Sequence, residues 1–492
     1  MCFVLRKALP YCEWSQMKRA WRDLREFLSA LEHRGDLVTV DEVVDWEYQA
    51  VALTKQSSDL DGPALRFARM RDSDFACVSG LFGSSRRVAL ALGHEYDYLL
   101  RNFGELEQQM LEPEVSSAAA PCQEVVVTGD DVDVSRLPLL RHFELDGGRY
   151  LTAGLQVAHD PQTGVANVSI HRQLPVDRNH LTVFAPLGRH LRTIIERWHE
   201  KGQEAPIAVV IGADPVTQIA SQARAPYGVD EFSIAGGMRG EPLELTTCRT
   251  VDVRVPAHAE IILEGLVEIG RLESDGPFGE YPGTYSEAKP TPVMRVTAIT
   301  HRRGALYQNT LTGTPMTENH WMMQPSATAF AYREARRVTP EIRSVHVTPG
   351  GTTRHHVVVS LKKRHPADAR NVMLALLASG LGAKLVTVVD DDIDPYDLQQ
   401  VEWAVNTRVQ PDKDVVIVPN LYSPTLDPSA PAARTSAKMG IDATAPMGDE
   451  RRMYEAPKVL GMENWLLSDV LARHDWSMPD LDGYLLPDGG RA

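Results

Sequence analysis

The chain has 492 residues, 43% of them apolar, enough for roughly two to four domains with real cores. A net charge of −15 argues against broad nucleic-acid binding, and an anionic ligand then needs a local positive site. Five scattered cysteines (Cys2, Cys12, Cys77, Cys122, Cys248) without CxxC spacing exclude a disulfide frame and a zinc knot, and point to reduced thiols in the cytoplasm. No apolar run reaches membrane-spanning length, and Met1–Trp14 lacks the apolar core of a secretory signal.

Leu24, Phe27, Leu28 and Leu31 share one helical face, and Gly35 ends that helix. Val38 and Val40 alternate with polar residues as a short strand, and a helix is predicted over 48–56. Residues 64–67 and 75–78 read as buried strands, so residues 1–120 are expected to form an N-terminal α/β domain. Ser116 to Pro121 reads as linker.

From Cys122 the texture becomes β-rich. Strands are predicted over 124–128, 151–159, 166–173, 207–211, 243–255 and 294–300, with a hairpin turn at Asp160–Gly164. One amphipathic helix interrupts, with Leu191, Ile194, Ile195 and Trp198 on one face. The expectation for 121–312 is a barrel or split barrel. A connecting helix follows within 313–340. Residues 341–492 are expected to form a C-terminal α/β domain with parallel strands that mediates dimerisation. Within it, 356–361, a helix over 367–379 and 384–389 read as a βαβ unit. The helix over 398–405 leads to a strand at 414–418. The tail 423–451 is expected to wrap a surface, and a helix near 462–473 to pack on a partner.

Chemistry concentrates in Asp275-Gly-Pro-Phe-Gly-Glu280-Tyr-Pro-Gly283. Its glycines and prolines disfavour a regular element and suggest a shaped loop presenting two acids. Paired carboxylates in a dry pocket can hold different pKa values, so that one keeps a proton; a solvated acidic turn fits the spacing equally. Asn167-Val-Ser-Ile-His-Arg172 offers an Asn ligand and an Arg fork for a carboxylate. In an ideal strand, however, positions 167 and 172 face opposite sides. His190 precedes a helix, where an anion or a metal fits, as does a structural hydrogen bond. With Glu231 and Asn167 it makes a donor set suited to Mn²⁺ or Mg²⁺. The acidic run at 390–394 fits a metal site or a helix cap.

Taken in order, Asn167-x-x-x-x-Arg172, Gly-Arg-His190, Ala220-Ser221, Glu231, Ala257-His-Ala-Glu-Ile-Ile-Leu-Glu-Gly265 and Asp275-Gly-Pro-Phe-Gly-Glu280 resemble the UbiD family of reversible decarboxylases, which includes the fungal ferulate decarboxylases. The match runs from Asp23-Leu-Arg-Glu-Phe27 to Ile441-Asp-Ala-Thr444. The resemblance implies prenylated FMN in a central split barrel, held through its phosphate, Mn²⁺ and K⁺, with a flavin prenyltransferase as supplier. It makes Asn167, His190 and Glu231 the Mn²⁺ ligands, and Val168, Ala220, Ser221 and Ala223 the K⁺ contacts. It adds Ser169, Ile170, Arg172 and Arg189 to the cofactor contacts, and makes Arg172, Asp275 and Glu280 the catalytic triad, Glu280 donating the proton. The family pattern there is Glu-Arg-Glu, so Asp275 is one methylene short. The implied reaction is non-oxidative decarboxylation of an unsaturated, aromatic or heteroaromatic acid by a homodimer or larger homo-oligomer. Asn319 and His320 fit either a polar group on the substrate or the cap of the following helix. A metal-dependent hydrolase and a non-catalytic assembly subunit are the competing classes.

Overall fold

The helix Leu24–His33 buries Leu24, Phe27, Leu28 and Leu31, and the Asp23 side chain caps it by accepting from the Glu26 N–H. The computed structural model describes residues 20–457 apart from 187, 425 and 431–434. Residues up to Thr444 form one compact unit and Ala445 onward another. Of the second, Asp449–Tyr454 is a short 3-10 helix. The expected helix near 462–473 lies outside the described residues, as do Cys2 and Cys12.

Three large sheets order the first unit, beside a three-stranded and a two-stranded one. The first runs Leu37–Val44, Ala64–Met70, Ala76–Ser79, Leu306–Gln308. Its last strand comes from far along the chain and pairs parallel with Ala76–Ser79. Conversely, Glu114–Val115 reaches forward to pair with Glu244–Thr247. The chain segments around the site therefore interlock across the expected boundary near residue 120. Two helices, Ser85–Leu92 and Tyr96–Leu106, stand in a stretch where no element was expected, although Leu99, Leu100, Phe103 and Leu106 share one helical face; their buried faces join one apolar core with the first helix.

The β-rich middle is an eight-stranded antiparallel sheet, matching the expected texture. Its path runs Ala166–Ile170, Leu155–His159, Ala205–Ile211, Ile261–Asp275, Lys289–His301, His180–Thr182, Pro175–Asp177, with Val125–Thr128 on the side. The turn at Asp160–Gly164 closes a hairpin as predicted: Gly164 takes φ +73° and its N–H donates to the Asp160 carbonyl at 2.8 Å. The longest strand, Ile261–Asp275, spans the sheet and ends on the acid motif. The helix His190–Glu200 packs Leu191, Ile194 and Ile195 into the same core.

The 21-residue helix Glu318–Val338 leads to the third sheet. There Ile342–Val347, His356–Leu361, Leu385–Asp390, Thr435–Ala443 and Val415–Tyr422 lie side by side in that order. The βαβ unit is present: His356–Leu361 and Leu385–Asp390 pair parallel, and the helix Asp368–Ala378 between them buries five side chains. Two expectations are corrected. The sheet is mixed, because both edge pairings are antiparallel. The tail also does not simply wrap a surface: Thr435–Ala443 inserts between two strands, parallel to one and antiparallel to the other. The acidic run is met by Arg408, which pairs with Asp390 and Asp392, and the next helix is capped by Asp397 instead. Among the described residues no helix is long and apolar enough to cross a membrane. Cys77, Cys122 and Cys248 are buried free thiols.

Candidate active site

The acid motif sits where the long strand stops. After Asp275 the backbone takes φ +108° at Gly276, and a Cβ there would lie 2.9 Å from the Glu287 carbonyl oxygen, so only glycine fits. Phe278–Gly279 then pairs with Tyr285–Ser286, and the Gly283 N–H closes the tip on the Glu280 carbonyl at 2.9 Å. The loop is thus a short β-ribbon that carries Glu280 at its turn.

Arg172 joins the two acids. Its Nε donates to Asp275 Oδ1 at 2.9 Å, Nη2 stands 2.8 Å from the same oxygen, and Nη1 donates to Glu280 Oε1. The strand carrying Asn167 ends at Ile170, so strand alternation does not bind Arg172, and both side chains reach one cavity. Phe184 lies 3.8 Å and Phe278 5.0 Å from the guanidinium carbon, which shields the cation with ring faces. The acids differ in surroundings. Asp275 is fully buried, with its second oxygen accepting from Thr182 Oγ1. Glu280 lines the cavity, and its second oxygen has no partner among the described residues.

Asp146, which the sequence does not single out, anchors the loop. Its buried carboxylate accepts from the N–H groups of Gly279 at 2.9 Å, Phe143 at 2.9 Å and His142 at 3.2 Å. Burial raises its pKa, against the lowering effect of those three N–H groups. Tyr150 adds a second tie, its hydroxyl accepting from the Gly276 N–H at 3.0 Å.

A second cluster lies on the same cavity, whose volume is about 420 Å³. Glu231 opens the helix Glu231–Arg239 and accepts from Asn167 Nδ2 at 3.1 Å and the Val168 N–H at 2.8 Å. It is buried without an ion-pair partner among the described residues, and burial pushes its pKa up to about 8. His190 opens its own helix and meets the Tyr227 ring edge-on; burial, then Arg189, lowers its pKa. Ser169 Oγ reaches Asn167 Oδ1 at 3.4 Å. Ala220 ends the short helix Pro215–Ala220, and Ser221 and Ala223 follow it to the cavity. Among the described residues no three His, Cys, Asp or Glu side chains cluster for a metal. The expected ligand set holds only two of those types, with Asn167 as the third member. A buried carboxylate lacking a counter-cation, beside an amide and an imidazole, fits a bound cation.

Three arginines complete the lining: Arg189, Arg224 and Arg354. None forms an ion pair among the described residues, and the three repel one another. Arg224 is held well below its ordinary pKa, by burial and then by Arg354 and Arg189. Arg354 stacks 5.0 Å over Tyr281 and follows Thr352 and Thr353, both at positive φ, a strained approach for non-glycine residues. Uncompensated cations gathered on one cavity fit an anion such as a phosphate. Of these three, only Arg189 stands in a motif visible in the sequence.

Of the other residues named from the sequence, only Val168, Ala220, Asp275 and His320 do not line the cavity. For His320 the geometry supports the capping alternative. Its Nδ1 accepts from the Thr317 N–H at 3.1 Å and its Nε2 meets the Tyr281 carbonyl at 2.7 Å, so both nitrogens are engaged. Asn319 faces the cavity.

The fold is of mixed α/β architecture, and its site joins two acids and an arginine at one cavity. Family models for the N-terminal, Rift-related and C-terminal domains of 3-octaprenyl-4-hydroxybenzoate carboxy-lyase match residues 28–107, 113–315 and 320–443. The chain belongs to the UbiD family. It is similar to the UbiD-class enzyme HmfF of Pelotomaculum thermopropionicum, solved with FMN: 37% identity, 91% of this chain and 99% of that chain covered, TM-score 0.83. An evolved dimeric form of that enzyme, solved with prFMN, is 36% identical, covers 92% and 100%, and has a TM-score of 0.81. The closed form of vanillic acid decarboxylase from Sedimentibacter hydroxybenzoicus is 30% identical, with 93% and 100% covered and a TM-score of 0.84.

Proposed function

We propose that this protein reversibly decarboxylates an α,β-unsaturated, aromatic or heteroaromatic carboxylic acid with prenylated FMN, Mn²⁺ and K⁺. The observation that carries this is Arg172 held between Asp275 and Glu280 on a cavity that also presents Glu231 and three arginines, all four without an ion-pair partner among the described residues. Flavin-bound relatives of similar structure support the cofactor.

Asn167, His190 and Glu231 would hold Mn²⁺, and Val168, Ala220, Ser221 and Ala223 K⁺, beside the cofactor phosphate, while Arg189, Arg224 and Arg354 supply its remaining counter-charge. Ser169 and Ile170 line the same wall. When bound, prenylated FMN supplies an electrophilic, azomethine-ylide-like carbon, chemistry that no side chain offers. The protein's residues do the rest. Arg172 lines the cavity and binds the substrate carboxylate there. Asp275 spends both oxygens on Arg172 and Thr182 and so orients the guanidinium. Its shorter side chain suits that role, since Arg172 meets it directly. Glu280 faces the cavity and delivers a proton to the carbon that loses CO₂. Burial excludes water from this ion cluster and strengthens its interactions.

A cytoplasmic homodimer or larger homo-oligomer is the proposed form, and light scattering of the full chain reads its size. The test of function is mass-spectrometric detection of CO₂ loss across a mixed panel of such acids, with protein produced beside a flavin prenyltransferase. Flavin-dependent CO₂ release is the expected result. A colourless protein with hydrolase activity, or flavin retention without turnover of any acid, overturns the proposal in favour of a metal hydrolase or a non-catalytic subunit.

A further inference from the structure

Asn167 and Ser169 lie in the strand Ala166–Ile170, His171 follows it with the same parity, and all three line the cavity. His171 takes no part in the proposed chemistry, yet its ring is engaged twice. Its Nε2 stands 3.0 Å from Ser169 Oγ, and the ring donates to the Phe184 backbone carbonyl. Burial, then Arg189, holds its pKa down at about 4, against the raising effect of that carbonyl, so the ring is neutral at physiological pH. A neutral imidazole has one N–H and one bare nitrogen. With the N–H on the Phe184 carbonyl, Nε2 is the bare nitrogen and accepts the Ser169 proton.

The direction of that proton decides what Asn167 offers. The Asn167 amide nitrogen donates to Glu231 Oε1 at 3.1 Å, which leaves Oδ1 as its acceptor. Ser169 Oγ lies 3.4 Å from that Oδ1 and is able to donate to it. A hydroxyl has one proton, so Asn167 Oδ1 and His171 Nε2 compete for it. The contact to His171 is the shorter and lies within ordinary hydrogen-bond range, whereas the contact to Asn167 does not. Asn167 Oδ1 is therefore left open as an oxygen ligand, with no proton turned toward it.

We infer that His171 is a positioning residue for the cation: it draws the Ser169 proton away from Asn167 Oδ1 and so keeps that oxygen open to metal. This rests on the proposed Mn²⁺ at Asn167, His190 and Glu231. Without His171, the Ser169 hydroxyl turns to Asn167 Oδ1, and the metal has to displace it. Groups that bond to metal ligands from behind govern affinity over about 10- to 100-fold.

The test is a mutant cycle on the full-length protein, depleted of metal by chelation, with FMN present throughout. Mn²⁺ is titrated into each variant, and the free ion is counted by its EPR signal. His171→Phe keeps a ring but accepts no proton, and weakens Mn²⁺ binding at least about tenfold. His171→Gln, whose side-chain oxygen accepts from Ser169, retains most of the affinity. In a Ser169→Ala background no hydroxyl remains to be turned, so adding His171→Phe leaves the affinity of that background unchanged. Should His171→Phe give no folded protein, His171→Leu takes its place in the cycle. An equal loss with and without the Ser169 hydroxyl overturns the inference, because His171 then acts by holding Phe184. Wild-type affinity in His171→Phe also overturns it, as does a wild type that binds no Mn²⁺. Equal Mn²⁺ binding by all variants, alongside flavin-dependent CO₂ release, sinks this inference and leaves the decarboxylase proposal standing. The expected cycle, in a protein that releases CO₂ from no acid, does the reverse.

Discussion

Substituting Asp146 separates the acid loop from its anchor without touching the triad. The carboxylate accepts three backbone N–H groups, from Gly279, Phe143 and His142. Asp146→Ala strands all three in a buried site, at about 1–3 kcal/mol each, so at least about 3 kcal/mol of stability goes. Asp146→Asn is milder. It keeps one acceptor oxygen but turns an NH₂ group toward the remaining N–H donors, and it relieves the burial of a charge; a loss of about 2 kcal/mol follows. Glu280 is the next residue after Gly279, so losing that tether moves the acid itself. A shift of about 1 Å in a catalytic group costs on the order of 10²-fold. Asp146→Asn should therefore lower kcat roughly 10- to 100-fold with KM little changed, since Arg172 and the far cavity wall stay in place. Steady-state CO₂ release, flavin absorbance and a urea unfolding midpoint read the three quantities together. Wild-type kcat in a variant with full flavin content would refute the anchoring role.

Three further outcomes follow from the same geometry. His190→Ala should lose much of both metal and flavin, read by elemental analysis and absorbance; full flavin occupancy without metal contradicts the cation assignment. Arg224→Gln should act with opposite signs, because removing one of three mutually repelling cations stabilises the apoprotein while flavin retention falls at least about tenfold; thermal melts with and without flavin decide it, and unchanged retention speaks against the phosphate role. Burial holds His142, His320 and His356 at about 4, against an ordinary 6.5. These rings are neutral in the fold down to that pH and take up protons on unfolding below 6.5. Stability should be complete above pH 6.5 and fall as pH drops toward 4, by up to roughly 3 kcal/mol per ring. A urea midpoint that stays flat between pH 6.5 and 4 would contradict this.

The cluster of Arg172 with Asp275 and Glu280 was legible in part because its acids lie within one short glycine-rich motif, where composition alone announces a shaped loop. Asp275 and Glu280 took their different surroundings from elsewhere. Thr182 and Phe184 come from a separate strand and its exit, which no local pattern connects to the motif. The parity conflict between Asn167 and Arg172 dissolved because the strand stops two residues before Arg172, and strand ends are poorly marked by alternation. Asp146 stayed hidden as one of two acids before a Gly-Gly pair, its importance set by three N–H groups it meets only in the fold. The arginine cluster was invisible for a similar reason: Arg189, Arg224 and Arg354 arrive from three distant segments. The strand Thr435–Ala443 was obscured by a Pro-, Ala- and Asp-rich tail, and by polar residues its neighbours tolerate on both sides. His320 fitted two roles in the sequence, and only its distances to Thr317 and Tyr281 separate them.

The most direct measurement on the central claim is turnover by Glu280→Gln in D₂O, with flavin and metal content matched to wild type. Glutamine preserves size and a donor but has no acidic proton to give. Turnover should fall at least about 10²-fold, the usual scale for a lost general acid. Deuterium uptake at the carbon that lost CO₂ should be suppressed, as should exchange at that position when product is incubated with enzyme. Asp275→Asn should cost less, because its carboxylate orients Arg172 rather than handling the proton. Decarboxylation and exchange by Glu280→Gln at wild-type rates, with cofactor and metal in place, would contradict the account at its core.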